Sequence, residues 1–267
     1  MDTVTSRDGT SIAFLPTGTG AGAPVVFVAG VFNDHTTCAP VAALIEDAHP
    51  VITYDRRGRG ASGDTAPYAV EREVEDLAAL IEKAGAPAAV FGYSSGAVLA
   101  LKAAADGAAI SHLALYEPPF AFTDTDRARP ADRPGRLADL VAQGRPGDAV
   151  ALFQTEHLGM PAEMVARARR SPMWPALEAM AQSMVYDATI TTALAVPTVE
   201  MTAVSTPTLI LSGAETFPFL RDAAVALANA MPSSARHVEL PGGRFHHLAA
   251  EPAAEALRLT LSQRQRF

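Results

Sequence analysis

Cysteine is almost absent from this 267-residue chain: Cys38 stands alone. A single thiol excludes an intrachain disulfide and the clustered thiolates of structural zinc sites. Long apolar runs are missing as well. Charges interrupt the alanine-rich segments, and no stretch approaches the about 18 uninterrupted apolar residues of a membrane helix. A basic excess is also lacking. The net charge of -8 and a pI near 5.3 argue against nucleic acid and anionic membranes as partners. The N-terminus, MDTVTSRDGTS, has no basic region followed by an apolar core, so it does not read as an export signal. A cytoplasmic protein with a small-molecule partner is expected. The 49% of residues that are hydrophobic are enough for one large α/β core, with room for an inserted subdomain.

What is present is an alternation of strands and helices. Two short alternating runs flank Asp8-Gly9, which marks a hairpin. APVVFVAG (23–30) and PVITYD (50–55) are continuous apolar runs, the pattern of strands buried on both faces of a parallel sheet. Helices are expected over 36–48 and 70–85, the second with Val74, Leu77, Leu80 and Ile81 on one face and Gly85 at its end. AAVFGYSS (88–95) is a third buried strand, followed by a helix, and SHLALYE (111–117) is a fourth. The alternation then stops. Helices over 132–143, 147–157, 161–170 and 173–187 are separated by proline and glycine, with no core strand among them. Alternation resumes with a strand over 206–213, a helix over 218–231, a strand over 235–242 and a terminal helix from about 250. The expected architecture is a mostly parallel α/β sheet with flanking helices. Its core comprises 1–119 and 205–267, and 120–204 is a helical insertion.

Ligands of open α/β sheets bind at the C-terminal ends of the strands, so those ends carry the chemistry. The third strand runs into VFGYSSGAVLA, where G-x-S-x-G fits one register only: Gly92, Ser94, Gly96. The pattern serves a sharp strand-to-helix turn, in which small residues on either side let strand and helix approach a strained serine. The bland alternative is a Gly/Ser-rich turn without chemistry. A second glycine pattern, Gly58-x-Gly60-x-x-Gly63, also follows a strand. It continues Asp64-Thr65-Ala66-Pro67 rather than opening a helix, so it reads as a structural turn and not a dinucleotide site.

These marks together resemble the α/β-hydrolases across nearly the whole chain. They are Ala29-Gly30-Val31-Phe32 after the first buried strand, Tyr54-Asp55-Arg56-Arg57-Gly58-Arg59-Gly60-Ala61-Ser62 after the second, and the serine turn after the third. The resemblance implies a nucleophilic serine, a late histidine base, an acid, a helical cap, and no metal or cofactor. It also implies an oxyanion hole made by the N–H of Ser95 and that of Val31, with Gly30 adjacent. Ala29 stands where many members carry histidine, which should alter loop packing and leave the donors in place. The late histidine falls in PGGRFHHLAAEP, which offers His246 and, as alternative, His247. His246 suits the usual spacing better, in a loop one residue longer than usual. His35, near the oxyanion loop, is a candidate ligand contact or a capping group.

The family's acid usually follows the strand read here over 206–213, as Gly-x-x-Asp. Here the segment reads Gly213-Ala214-Glu215-Thr216, and threonine cannot hold a histidinium by charge. Glu215, one residue early, and Asp222 are alternatives. Glu117 is the stronger candidate: it ends an apolar strand beside the serine's strand, where an unpaired carboxylate would be costly. Acid placement there is similar to that in zearalenone-lactonase-type members of the family. In the insertion, Trp174, Met180 and Met184, with Phe32 and Tyr93 from the core, are candidate substrate contacts, although such residues more often pack helices together.

The leading expectation is a serine hydrolase with a Ser-His-Glu triad, acting on a carboxylic ester or lactone of a small to medium, largely apolar molecule. Lyase, cyclase or acyltransferase chemistry on the same residues is one alternative. A ligand-binding protein without turnover is another, favoured by the missing aspartate at Thr216.

Overall fold

In the computed structural model, which describes residues 1–123 and 132–262, eight strands form one sheet. They are β1 (Asp2–Thr5), β2 (Ser11–Thr17), β3 (Val25–Val28), β4 (Val51–Tyr54), β5 (Ala88–Tyr93), β6 (Ile110–Tyr116), β7 (Thr208–Glu215) and β8 (Ala235–Arg244). Their order is β1-β2-β4-β3-β5-β6-β7-β8. The hairpin at Asp8-Gly9 pairs β1 with β2 antiparallel, and β2 pairs antiparallel with β4; every other neighbour is parallel.

β3, β4 and β5 are buried at every position because the two faces of the sheet are both covered. Strand period divides each run between two cores. Val26, Val28, Val90, Leu113, Leu115 and Ile210 meet the helices α2 (Val70–Ala84) and α3 (Ser95–Ala105) on one face. Phe27, Phe91, Ala114, Leu209 and Leu211 meet α1 (Ala39–Ile45) and the terminal helix (Ala250–Leu261) on the other. Each valine, leucine, isoleucine or phenylalanine among them, fully buried, contributes about 1.5–3 kcal/mol. α1 is shorter than the sequence suggests, with Pro40 in its first turn.

Cys38 sits buried at the start of α1, and burial pushes its thiol up to about 12. A thiol so placed holds almost no thiolate. Iodoacetamide is therefore expected to leave native protein unmodified at mildly alkaline pH and to label it stoichiometrically in denaturant. Mass spectrometry reads both, and rapid native labelling would mean that α1 opens readily.

Between β6 and β7 the described chain is helical: α4 (Arg133–Ala142), α5 (Pro146–Leu152), α6 (Ala162–Ala168), α7 (Trp174–Ala179), α8 (Ala181–Ala193) and α9 (Val199–Thr202). α10 (Pro218–Ala230) follows β7 and α11 (Ala250–Leu261) follows β8. The inserted helices share a separate apolar core built on Leu137, Val150, Phe153, Trp174 and Met184.

Two expected helices change form. The helix expected over 147–157 ends as α5 and passes into a π turn at Phe153–His157, where the Leu158 N–H reaches the Phe153 carbonyl at 3.1 Å. Such wide turns bulge side chains away from the helix line. The helix expected over 173–187 is two helices, α7 and α8. The first closes tightly, Met180 N–H to Leu177 carbonyl at 3.1 Å, and the chain restarts and runs on to Ala193. The four-residue α9 is additional to the helices expected from the sequence. No described helix is long and apolar enough to cross a membrane.

Candidate active site

β5 delivers the chain to Ser94 at φ 57°, ψ -121°, a conformation that ordinary side chains avoid, and α3 begins at the next residue. The glycines on either side are sterically required. A Cβ on Gly92 would lie 2.5 Å from the Ala97 Cα, and one on Gly96 would lie 2.3 Å from the Val28 carbonyl oxygen. The loop after β3 closes on this turn: a Cβ on Gly30 would lie 2.9 Å from the Ser94 Cβ. The Ser94 N–H is taken by the Tyr116 carbonyl at 2.9 Å, which ties the turn to β6. Ser95 opens α3, where free N–H groups and the helix dipole favour negative charge.

Glu117 lies one residue past β6, wholly buried and at φ 48°. Its N–H donates to the Leu211 carbonyl at 2.8 Å. One carboxylate oxygen accepts the Gly213 N–H at 2.8 Å; the other meets His246 Nδ1. A carboxylate only accepts, so Nδ1 carries the proton and Nε2 is left to act as a base. Two tyrosines hold the histidine loop. Tyr93 donates to the His246 carbonyl, and Tyr116 to the His247 carbonyl at 2.9 Å. The Tyr93 ring also stacks on His246, centroids 5.0 Å apart. Burial, and then the charge of Glu117, raise both phenols well above their ordinary range, so they remain neutral donors.

Ser94, Ser95, Val31, His246 and His247 meet in the wall of one cavity of about 420 Å³. Its sides are mostly apolar. Phe153 comes from the π turn, Leu158 and Met160 from the connection that follows it, and Phe217, Phe219 and Leu220 from the start of α10. His157, Asp187 and Thr191 form a polar side. Arg133 donates to His157 Nδ1 at 2.8 Å, which leaves Nε2–H directed at the Thr191 hydroxyl, 3.1 Å away.

The structure thus brings together Ser94, Glu117 and His246, with Ser95, Val31 and Gly30 around the serine. His247 lines the same cavity but is exposed and does not meet Glu117. Glu215 is placed elsewhere: its side chain is 57% exposed and bound to Arg244 at 2.9 Å. Asp222 is exposed on α10. His35 bonds Asp55 at 2.7 Å and is not in the cavity wall.

None of the five expected substrate contacts lines the cavity. Trp174 and Met184 point into the core of the inserted helices, and Met180 sits at the joint before α8. Phe32 packs edge-on against Phe153, centroids 5.6 Å apart, and Tyr93 faces the histidine loop. The residues that line it instead include Phe153, at the start of the π turn, and Phe217 and Phe219 just past β7. The pattern Phe217-Pro218-Phe219 at a strand's C-terminal end was a usable signal, as was Asp187 within an otherwise apolar helix stretch.

Glycines 58, 60 and 63 form a turn closed by Gly58 N–H to Gly63 carbonyl at 2.9 Å, and the next helix after Gly63 starts only at Val70. The dinucleotide pattern therefore lacks its helix.

Comparison with known proteins agrees with this architecture. An alpha/beta hydrolase from Sphaerobacter thermophilus is 45% identical, covers 98% of this chain and 100% of its own, and superposes with a TM-score of 0.88. A thermophilic esterase from Thermogutta terrifontis shares the fold at 24% identity and a TM-score of 0.67, covering 97% of this chain and 94% of its own. A Mycobacterium tuberculosis protein that bears the name non-heme bromoperoxidase BpoC is 42% identical over 84 residues. That match takes in 30% of this chain, and the chain spans 32% of the length of this curated relative. Residues 20–257 match the family described as the Alpha/beta hydrolase family, and the chain belongs to that family.

Proposed function

We propose that the protein is a serine hydrolase that cleaves a carboxylic ester or lactone of a small to medium, largely apolar molecule. The observation that carries this reading is the contact of buried Glu117 with His246 Nδ1 beside a strained Ser94 in one apolar cavity. His246 Nε2 takes the Ser94 proton as Oγ attacks the carbonyl carbon. Glu117 holds the imidazole in the required tautomer and stabilises the imidazolium. The N–H groups of Ser95 and Val31 hold the oxyanion, each worth about 10²–10³ in rate. Collapse expels the alcohol with the proton from His246. Water, activated by the same nitrogen, then releases the acid and restores Ser94.

The helices of 120–204 serve as the cap in this reading, over a core of 1–119 and 205–267. The volume of about 420 Å³ suits a small-molecule ligand, and the phenylalanines and Met160 suit an apolar one. The Glu117–His246 contact supports turnover over binding alone, since a binding protein needs no acid behind its histidine.

The test is intact mass and peptide mapping after exposure to a fluorophosphonate, followed by a panel of esters and lactones. Single rapid labelling at Ser94 with release of free acid is the expected result. An unlabelled, folded protein would overturn the proposal. Labelling with no acid released, but with transfer or ring closure, would move it to acyltransferase or cyclase chemistry.

A further inference from the structure

We propose that Asp187, on the inserted helix α8, is a positioning residue for the oxyanion hole, so that the hole is complete only when the inserted helices are docked. The inference rests on the serine-hydrolase reading above.

Asp187 is fully buried, yet it stands in the wall of the cavity that holds Ser94. One carboxylate oxygen accepts from the Ser95 hydroxyl at 2.5 Å and from Arg56 Nη1 at 2.7 Å. The other accepts from Arg59 Nη2. Both arginines come from the loop after β4, and both reach onward to the loop after β3. Arg59 Nη1 donates to the Gly30 carbonyl, and to the Asn33 carbonyl at 2.9 Å. Arg56 Nη1 donates to the Ala29 carbonyl at 3.2 Å.

Peptide geometry gives the Gly30 contact its meaning. The Gly30 carbonyl and the Val31 N–H belong to one planar trans unit and point in opposite directions. Drawing the Gly30 oxygen onto Arg59 therefore turns the Val31 N–H the other way, away from Arg59, and Val31 lines the cavity together with Ser94. A charged donor on the carbonyl also polarises the unit and strengthens its N–H as a donor. The second donor is the N–H of Ser95, whose side chain is held by the same Asp187. One carboxylate from α8 thus restrains both donors while touching neither Glu117 nor His246.

Charge balance makes the carboxylate hard to replace. Arg56 has a second partner in Glu73, at 2.6 and 2.7 Å, so Arg56, Arg59, Glu73 and Asp187 form a neutral buried set. Arg59 draws its charge compensation from Asp187. Burial and the neighbouring Arg56 lower its proton affinity, against the pull of Asp187. The adjacent residue adds to the docking: Tyr186 stacks on Tyr68, centroids 3.8 Å apart, and donates to Asp64 at 2.6 Å. The two arginines also cancel a negative charge that would otherwise oppose an oxyanion nearby.

The test compares wild type, Asp187→Asn and Ser95→Ala as full-length protein with p-nitrophenyl butyrate, with active sites counted by fluorophosphonate titration. The second ligand is an alkyl trifluoromethyl ketone, whose serine adduct places an oxyanion in the hole. Misplaced oxyanion donors lower kcat per active site, about 10²-fold for Asp187→Asn and several-fold for Ser95→Ala, with KM within about two-fold. Affinity for the ketone falls in step with kcat. A merely structural role would lower the thermal midpoint and the number of titrated sites and leave kcat per site and ketone affinity unchanged. That pattern overturns the inference. Where Asp187→Asn does not fold, Ser95→Ala decides, because it removes one hydroxyl and leaves the guanidinium pairs in place. Wild type that neither labels at Ser94 nor turns over p-nitrophenyl butyrate overturns the hydrolase reading along with it.

Discussion

Glutamine in place of Glu117 is expected to lower kcat about 10⁴-fold while the fold remains. The size matches, so packing is preserved. The hydrogen-bond pattern is not. The carboxylate accepts the Gly213 N–H with one oxygen and meets His246 Nδ1 with the other. A glutamine can keep the first bond with its carbonyl, but its NH₂ then faces Nδ1. The ring answers by placing its proton on Nε2, which can no longer take one from Ser94. Rotating the amide puts two donors face to face in a fully buried place. Steady-state kinetics with p-nitrophenyl esters and a thermal melt measure both effects. Activity within ten-fold of wild type would remove Glu117 from the triad. Glu215→Gln serves as the control, with no comparable loss expected, since that carboxylate is exposed and paired with Arg244.

Substitution of Ser94 should separate activity from stability. Ser94→Ala and Ser94→Gly both lose the nucleophile, and turnover is expected to fall about 10⁶-fold. Their stabilities should differ. The φ of 57° and ψ of -121° are retained with alanine and relaxed with glycine. Strain of this kind costs about 1–3 kcal/mol, and glycine loses about 0.4–1 kcal/mol through the unfolded chain. Glycine should therefore exceed alanine by about 1 kcal/mol, a rise of about 2–4 °C in the thermal midpoint. Equal midpoints would mean that the turn stores no strain at this residue.

Glycine tolerance at Ser94 bears on why the site was visible from the chain alone. The G-x-S-x-G pattern marks a local event, a strand meeting a helix through a turn that admits no side chain at Gly92 or Gly96. The buried strands are likewise local: the β-branched runs at 25–28 and 51–54 are apolar at every position because the sheet is covered twice. Glu117 stood out because an apolar strand ending in a carboxylate calls for a partner. Its partner could be narrowed only to His246 or His247. That choice depended on contacts between distant segments, Tyr93 and Tyr116 gripping carbonyls 153 and 131 residues away. The helix expected over 173–187 failed for a related reason. Its composition suits one helix, and the joint at Met180 appears once the inserted helices pack on a shared core.

By itself, then, the sequence determined the sheet with its helical insertion, the serine, the late histidine pair and the carboxylate at the end of β6. The histidine pair follows from the resemblance to the α/β-hydrolases; the others rest on periodicity, on steric demands between near neighbours, or on the cost of burying a charge. Only the tertiary structure decided which histidine meets Glu117, which side chains line the cavity, and that Asp187 joins Arg56, Arg59 and Ser95. Those contacts span 92 to 131 residues of chain, and no local preference encodes them. They form because strand order brings β5, β6, β7 and β8 side by side and lays their C-terminal ends against the inserted helices.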